Sequence, residues 1–62
     1  MCEANAYMLR GGAEELILEN VDRVIPQEDG IVLEDIFGKR LIVKARIKEL
    51  MLVDHKIILE DV

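Results

Sequence analysis

Arg40-Leu41-Ile42-Val43-Lys44-Ala45-Arg46-Ile47-Lys48 alternates apolar and polar positions, with Leu41, Val43, Ala45 and Ile47 on one parity and Lys44, Arg46 and Lys48 on the other. Side chains of an extended chain point alternately to opposite faces, so this stretch predicts a strand with one dry and one wet face. Working outward, residues 15–19, 22–25, 31–35 and 56–60 are rich in Val, Ile and Leu, a composition that favours strands. Turn signals separate them: Arg10-Gly11-Gly12, Gln27-Glu28-Asp29-Gly30, Phe37-Gly38-Lys39 and Val53-Asp54-His55-Lys56. Asp29-Gly30 reads as a hairpin pair that tolerates positive φ. The expected fold is all-β, a small partly open barrel of five or six short antiparallel strands forming one domain over residues 1–62. Its unpaired edges would invite dimerisation. A helix over residues 13–25 competes with this reading, because Ile17, Val21, Val24 and Ile25 fall near one helical face. Pro26 would end that helix or equally close an edge strand.

A chain of 62 residues buries only about 60% of the surface its unfolded form exposes, so a second support is expected. One cysteine cannot form an internal disulfide, which leaves a metal or a partner subunit. The lone thiol fits a reducing compartment. No stretch has the pattern of a signal peptide or approaches the roughly 20 apolar residues of a membrane span, so the expected location is cytoplasmic. Residues 1–31 carry two basic and seven acidic residues, and residues 32–62 carry six of each. The net charge of -5 argues against avid binding of phosphate backbones, which draws its affinity from surplus Lys and Arg.

The most informative residue for chemistry is Cys2, directly behind the initiator methionine. Removal of Met1 would leave a free α-amine on the cysteine. That amine and the thiolate can close a five-membered chelate ring on a soft or borderline divalent metal. Two such termini would make an N2S2 site suited to Ni(II) or Cu(II). Read alone, Cys2 is equally a small thiol near a chain end with no task. His55 is the only histidine. With no second His or Cys at ligand spacing, it reads as an exposed or locally hydrogen-bonded turn residue. The stripe Lys44, Arg46 and Lys48 could track the phosphates of RNA. Only Tyr7 and Phe37 could stack on bases, so a solvated face that discourages edge pairing is the simpler account. Adjacent carboxylates such as Glu34-Asp35 point to opposite faces of a strand and do not converge for acid-base work. Met8 and Met51 read as core filler, and Gly11-Gly12 lacks the Lys-Ser or Lys-Thr of a phosphate loop. No nucleophile-base pair or cofactor cradle appears, so enzyme function is not expected.

The start Met1-Cys2-Glu3-Ala4, the Gly-containing first turn, Leu16-Ile17-Leu18-Glu19-Asn20-Val21, Ile31-Val32-Leu33-Glu34-Asp35-Ile36-Phe37-Gly38 and the closing Ile57-Ile58-Leu59-Glu60 together resemble the CooT-like nickel-binding family. Members of that family are also labelled predicted RNA-binding proteins, and the best known accompany nickel insertion into carbon monoxide dehydrogenase. The resemblance implies a β-rich homodimer holding one Ni(II) between protomers through Cys2, with a nickel enzyme as possible client. The expected function is a nickel-binding accessory protein for delivery or storage. The alternative is a small RNA-binding module that uses Lys44, Arg46 and Lys48.

Overall fold

The computed structural model describes residues 3–62 and is all-β. Six strands run in chain order, β1 Ala4–Arg10, β2 Ala13–Pro26, β3 Ile31–Asp35, β4 Arg40–Val43, β5 Ala45–Met51 and β6 Lys56–Asp61. They form a single curled sheet, a half-barrel, with spatial order β4-β3-β2-β1-β6-β5. Every neighbouring pair is antiparallel except β1 and β6, which run parallel with Asn5 beside Lys56 and Leu9 beside Glu60.

The two edge strands, β4 and β5, are consecutive in sequence. The stretch expected as one strand over residues 40–48 is therefore two strands, broken by a bend at Lys44. A single straight strand cannot pair with β3 at one edge and β6 at the other, so the chain turns a corner there and draws the two edges together. Ala45 still faces inward, whereas Ile47 is partly exposed beside a register shift between Ile47 and Glu49.

Residues 13–25 belong to one long strand, β2, and not to a helix. Asn20 breaks its regularity at φ 55°, a left-handed conformation that Asn tolerates better than most residues. Up to Val21 the strand pairs with β1, and from Val21 onward it pairs with β3. Asn20 N–H donates to Asn5 Oδ1 (3.2 Å) and Asn20 O accepts from Ile36 N–H (2.9 Å), so the irregular point is tied to both neighbours.

The turns fall where Gly and Asp signals stand in the sequence. Gly11 and Gly12 both take positive φ in a two-residue hairpin, the geometry that matches strand twist. Gly30 does not; it is required because a Cβ there would collide with the carbonyl oxygen of Val43 and sit 3.3 Å from Lys44 Cα. The 27–30 hairpin, closed by Gln27 N–H to Gly30 O (2.7 Å), thus packs against the corner between β4 and β5. Ala6, Met8, Leu18, Val21, Ile31, Leu33, Ala45, Ile57 and Leu59 form the core inside the curl. At about 25 cal/mol per Å² of apolar surface removed from water, these aliphatic side chains supply the main favourable term.

Candidate metal centre

The sheet register gathers one set of loops at the end of the half-barrel where β1 begins. Ala4 lies opposite Val21, Val21 opposite Asp35, and Asn5 opposite Lys56. The residues leading into β1, the β3–β4 turn after Asp35 and the β5–β6 turn before Lys56 therefore share that end. Cys2, the metal ligand expected from the sequence, lies outside the described residues, but its neighbour Glu3 enters at this end.

His55 is brought to the same place. Its backbone is left-handed (φ 57°), and its carbonyl accepts a hydrogen bond from Asn5 N–H at 2.8 Å. Its Nδ1 lies 3.2 Å from the carbonyl oxygen of Glu3. A carbonyl can only accept, so Nδ1 carries the proton in this contact and neutral His55 keeps a bare lone pair on Nε2. The His55 ring thus reaches a residue at the far end of the sequence, while its backbone N–H donates to Leu52 O (3.3 Å) within its own turn. The signal was absent from local spacing, because only the parallel pairing of first and last strands juxtaposes residues 3 and 55.

The β3–β4 turn is built by Asp35, which is nearly buried. Its Oδ1 accepts from Phe37 N–H (2.9 Å) and Lys39 N–H (2.8 Å), and Gly38 completes the turn at φ 90°. This structure leaves Phe37 81% exposed, and Val53 in the β5–β6 turn is 91% exposed. Ile36 and Leu52 are exposed beside them in sequence. Four exposed apolar side chains thus lie in turns at the end where β1 begins.

Elsewhere, several cations meet carboxylates. Arg40 Nε donates to Glu34 Oε2 (3.1 Å) and Arg23 Nη1 to Glu34 Oε1 (3.2 Å), and the Arg40 bond above all holds the Glu34 carboxyl below the usual carboxylate range. Arg46 Nε donates to Glu60 Oε2 at 2.9 Å. Lys56 Nζ donates to Glu14 Oε1 (2.8 Å), which raises the Lys56 pKa, and sits 5.0 Å from the centroid of Tyr7. The expected basic stripe is therefore interrupted: Lys44 stands at the bend and Arg46 is engaged by a carboxylate. Among the described residues no three His, Cys, Asp or Glu side chains converge as a metal site, and no helix is long and apolar enough to cross a membrane. Met8 is core filler, 2% exposed, as its surroundings in the sequence imply.

The described residues thus define a small all-β protein, a six-stranded half-barrel. Over residues 1–60 the sequence matches the family described as CO dehydrogenase accessory protein CooT, and the chain belongs to that family. It is also similar to the crystal structure of a protein assigned as CooT from Carboxydothermus hydrogenoformans, with 56% sequence identity, a TM-score of 0.90 and 98% of each chain covered. A comparison with curated proteins finds no match.

Proposed function

We propose that this chain is a non-enzymatic nickel-binding accessory protein that acts as a homodimer, each protomer offering the Cys2 thiolate and α-amine to one shared Ni(II). Nickel is the cargo, and a CO dehydrogenase is the client that family membership points to. The observation that carries the reading is the end of the half-barrel at which β1 begins. There the residue after Cys2 enters beside an imidazole, and the turns at that end carry the exposed apolar side chains of Ile36, Phe37, Leu52 and Val53. The imidazole suits a borderline metal better than it suits Mg²⁺ or Ca²⁺, which prefer oxygen ligands. The apolar rim suits a second copy, because burying it would bring two chain starts together about a two-fold axis.

A site made from chain termini would let metal enter and leave more readily than a closed cage, as delivery or storage requires. Both ligands must lose protons to bind, so affinity falls in acid. Retaining Met1, or fusing a tag before it, removes the terminal amine and weakens binding.

The test is an anaerobic Ni(II) titration of untagged protein whose N-terminus has been checked by mass, followed by sulfur-to-nickel charge-transfer absorbance beside a Cys2→Ser control. Saturation at one metal per two chains, lost in the control, supports the reading. Thiolate-independent binding, or none, overturns it. Of Lys44, Arg46 and Lys48, the residues of the RNA-binding alternative, Arg46 is engaged by Glu60.

A further inference from the structure

We propose that the free edge of β4 is a docking site for an extended segment of another protein in which apolar and acidic residues alternate. The site is independent of the metal reading above. β4 pairs with β3 on one side, and among the described residues no strand lies on its other side. Asp35 N–H donates to Lys39 O (2.9 Å), so residues 35 and 39 form a hydrogen-bonded pair. From there the register runs without a shift, Glu34 with Arg40, Leu33 with Leu41, Val32 with Ile42 and Ile31 with Val43. Bonded and non-bonded pairs alternate along an antiparallel ladder. Leu41 and Val43 therefore turn their backbone groups to β3, whereas the N–H and C=O of Arg40 and Ile42 point to the free edge.

The outer face beside that edge is apolar. Ile25 lies opposite Val32 and Val32 opposite Ile42, a row across β2, β3 and β4 on the side of the sheet away from the core residues Ile31 and Leu33. Ile42, at the end of the row, is 77% exposed. A groove of about 440 Å³ adjoins it, with Gly30, Val32, Ile42 and Lys44 in its lining; the groove's carboxylates, Glu28 and Asp29, belong to the β2–β3 hairpin and not to the edge.

Charge selects the occupant. Lys39 and Arg40 precede Leu41-Ile42-Val43, and Lys44 follows it. Lys39 and Lys44 are exposed and meet no carboxylate among the described residues, and Arg40 shares Glu34 with Arg23, two cations on one anion. A second copy fits this edge poorly. Antiparallel pairing about a two-fold at Ile42 sets Arg40 of each copy opposite Lys44 of the other, and a two-fold at Arg40 sets two arginines face to face. Like charges directly opposite destabilise a strand pair. A strand with carboxylates flanking an apolar residue matches the edge instead: main-chain hydrogen bonds to Arg40 and Ile42 supply affinity, and the cations supply selectivity.

The test is residue-resolved amide hydrogen exchange of the protein alone and with a short capped peptide that alternates valine and glutamate. A valine-lysine peptide and a single-stranded oligouridylate are the comparisons. In the protein alone the amides of Leu41 and Val43 should be protected and those of Arg40 and Ile42 should exchange freely. The valine-glutamate peptide should slow exchange at Arg40 and Ile42, and less so in high salt. Lys39→Glu combined with Lys44→Glu should weaken its binding about tenfold and shift preference to the lysine peptide. Ile42→Pro, which removes an edge donor that β3 does not use, should weaken it too; the exposed charge variants carry the test if the proline disturbs the fold. Protection of Ile42 in the protein alone that rises with protein concentration makes a second copy the occupant, and protection by the oligouridylate makes the edge a nucleic-acid surface. Either result overturns the proposal, as does equal protection by the two peptides or none with the valine-glutamate peptide.

Discussion

The Cα of Gly30 faces the carbonyl oxygen of Val43 so closely that a methyl group on it would collide with backbone. Backbone gives way less easily than the end of a flexible side chain. Gly30→Ala should therefore destabilise the fold by about 1–3 kcal/mol, by prying the 27–30 hairpin from the β4–β5 corner. Thermal unfolding measures this, and an unchanged midpoint would show that the corner can open without cost.

Asp35 should be the costliest single carboxylate to remove. Its Oδ1 satisfies the N–H groups of both Phe37 and Lys39, so Asp35→Ala strands two donors in a tight turn. A loss of about 2 kcal/mol is expected in urea unfolding. Asp35→Asn, which keeps an acceptor oxygen, should lose less.

Glu34 predicts a pH dependence of stability. Its carboxyl is held below the ordinary range, first by the Arg40 hydrogen bond and then by Arg23, against some opposing desolvation. The folded state therefore binds the proton less readily than the unfolded state. The stabilisation is fully present above the unfolded value near pH 4.3 and is lost as pH falls through the lower folded value. The stability difference between the parent and Glu34→Gln should be constant from neutral pH down to about 5 and shrink below it. A difference that grows on acidification contradicts the assignment.

Phe37 and Val53 are exposed and outside the core, so Phe37→Ser and Val53→Ser should leave monomer stability within about 0.5 kcal/mol. If the apolar rim holds two copies together, each should weaken self-association about tenfold or more in sedimentation experiments. Unaltered association would place the dimer contact elsewhere.

The strand content was legible because short Val-, Ile- and Leu-rich runs lie between Gly- and Asp-containing turns, and every such turn separates strands in the fold. The break at Lys44 was not, since alternation continues in the sequence across it; only the need to reach both sheet edges bends the chain there. Gly30 was legible as a turn residue for the wrong reason, because its need is proximity to Val43 and not a positive φ. The chemistry of Cys2 can be argued from its position alone. That of His55 cannot, because its partner is 52 residues away and is brought near by a parallel strand pair that no local pattern announces.

That pair also bears on the order in which the molecule can form. β1 is an interior strand flanked by β2 and β6, and β6 is the last strand in the chain. During synthesis β2 can pair with β1 early, but the other side of β1 must wait for Lys56–Asp61. Contacts of such long sequence separation carry a large loop-closure cost and slow folding. The His55 contact to Glu3 cannot form until that last strand has emerged. Glu3 is therefore free of the β5–β6 turn for a time during synthesis, before the fold closes around it.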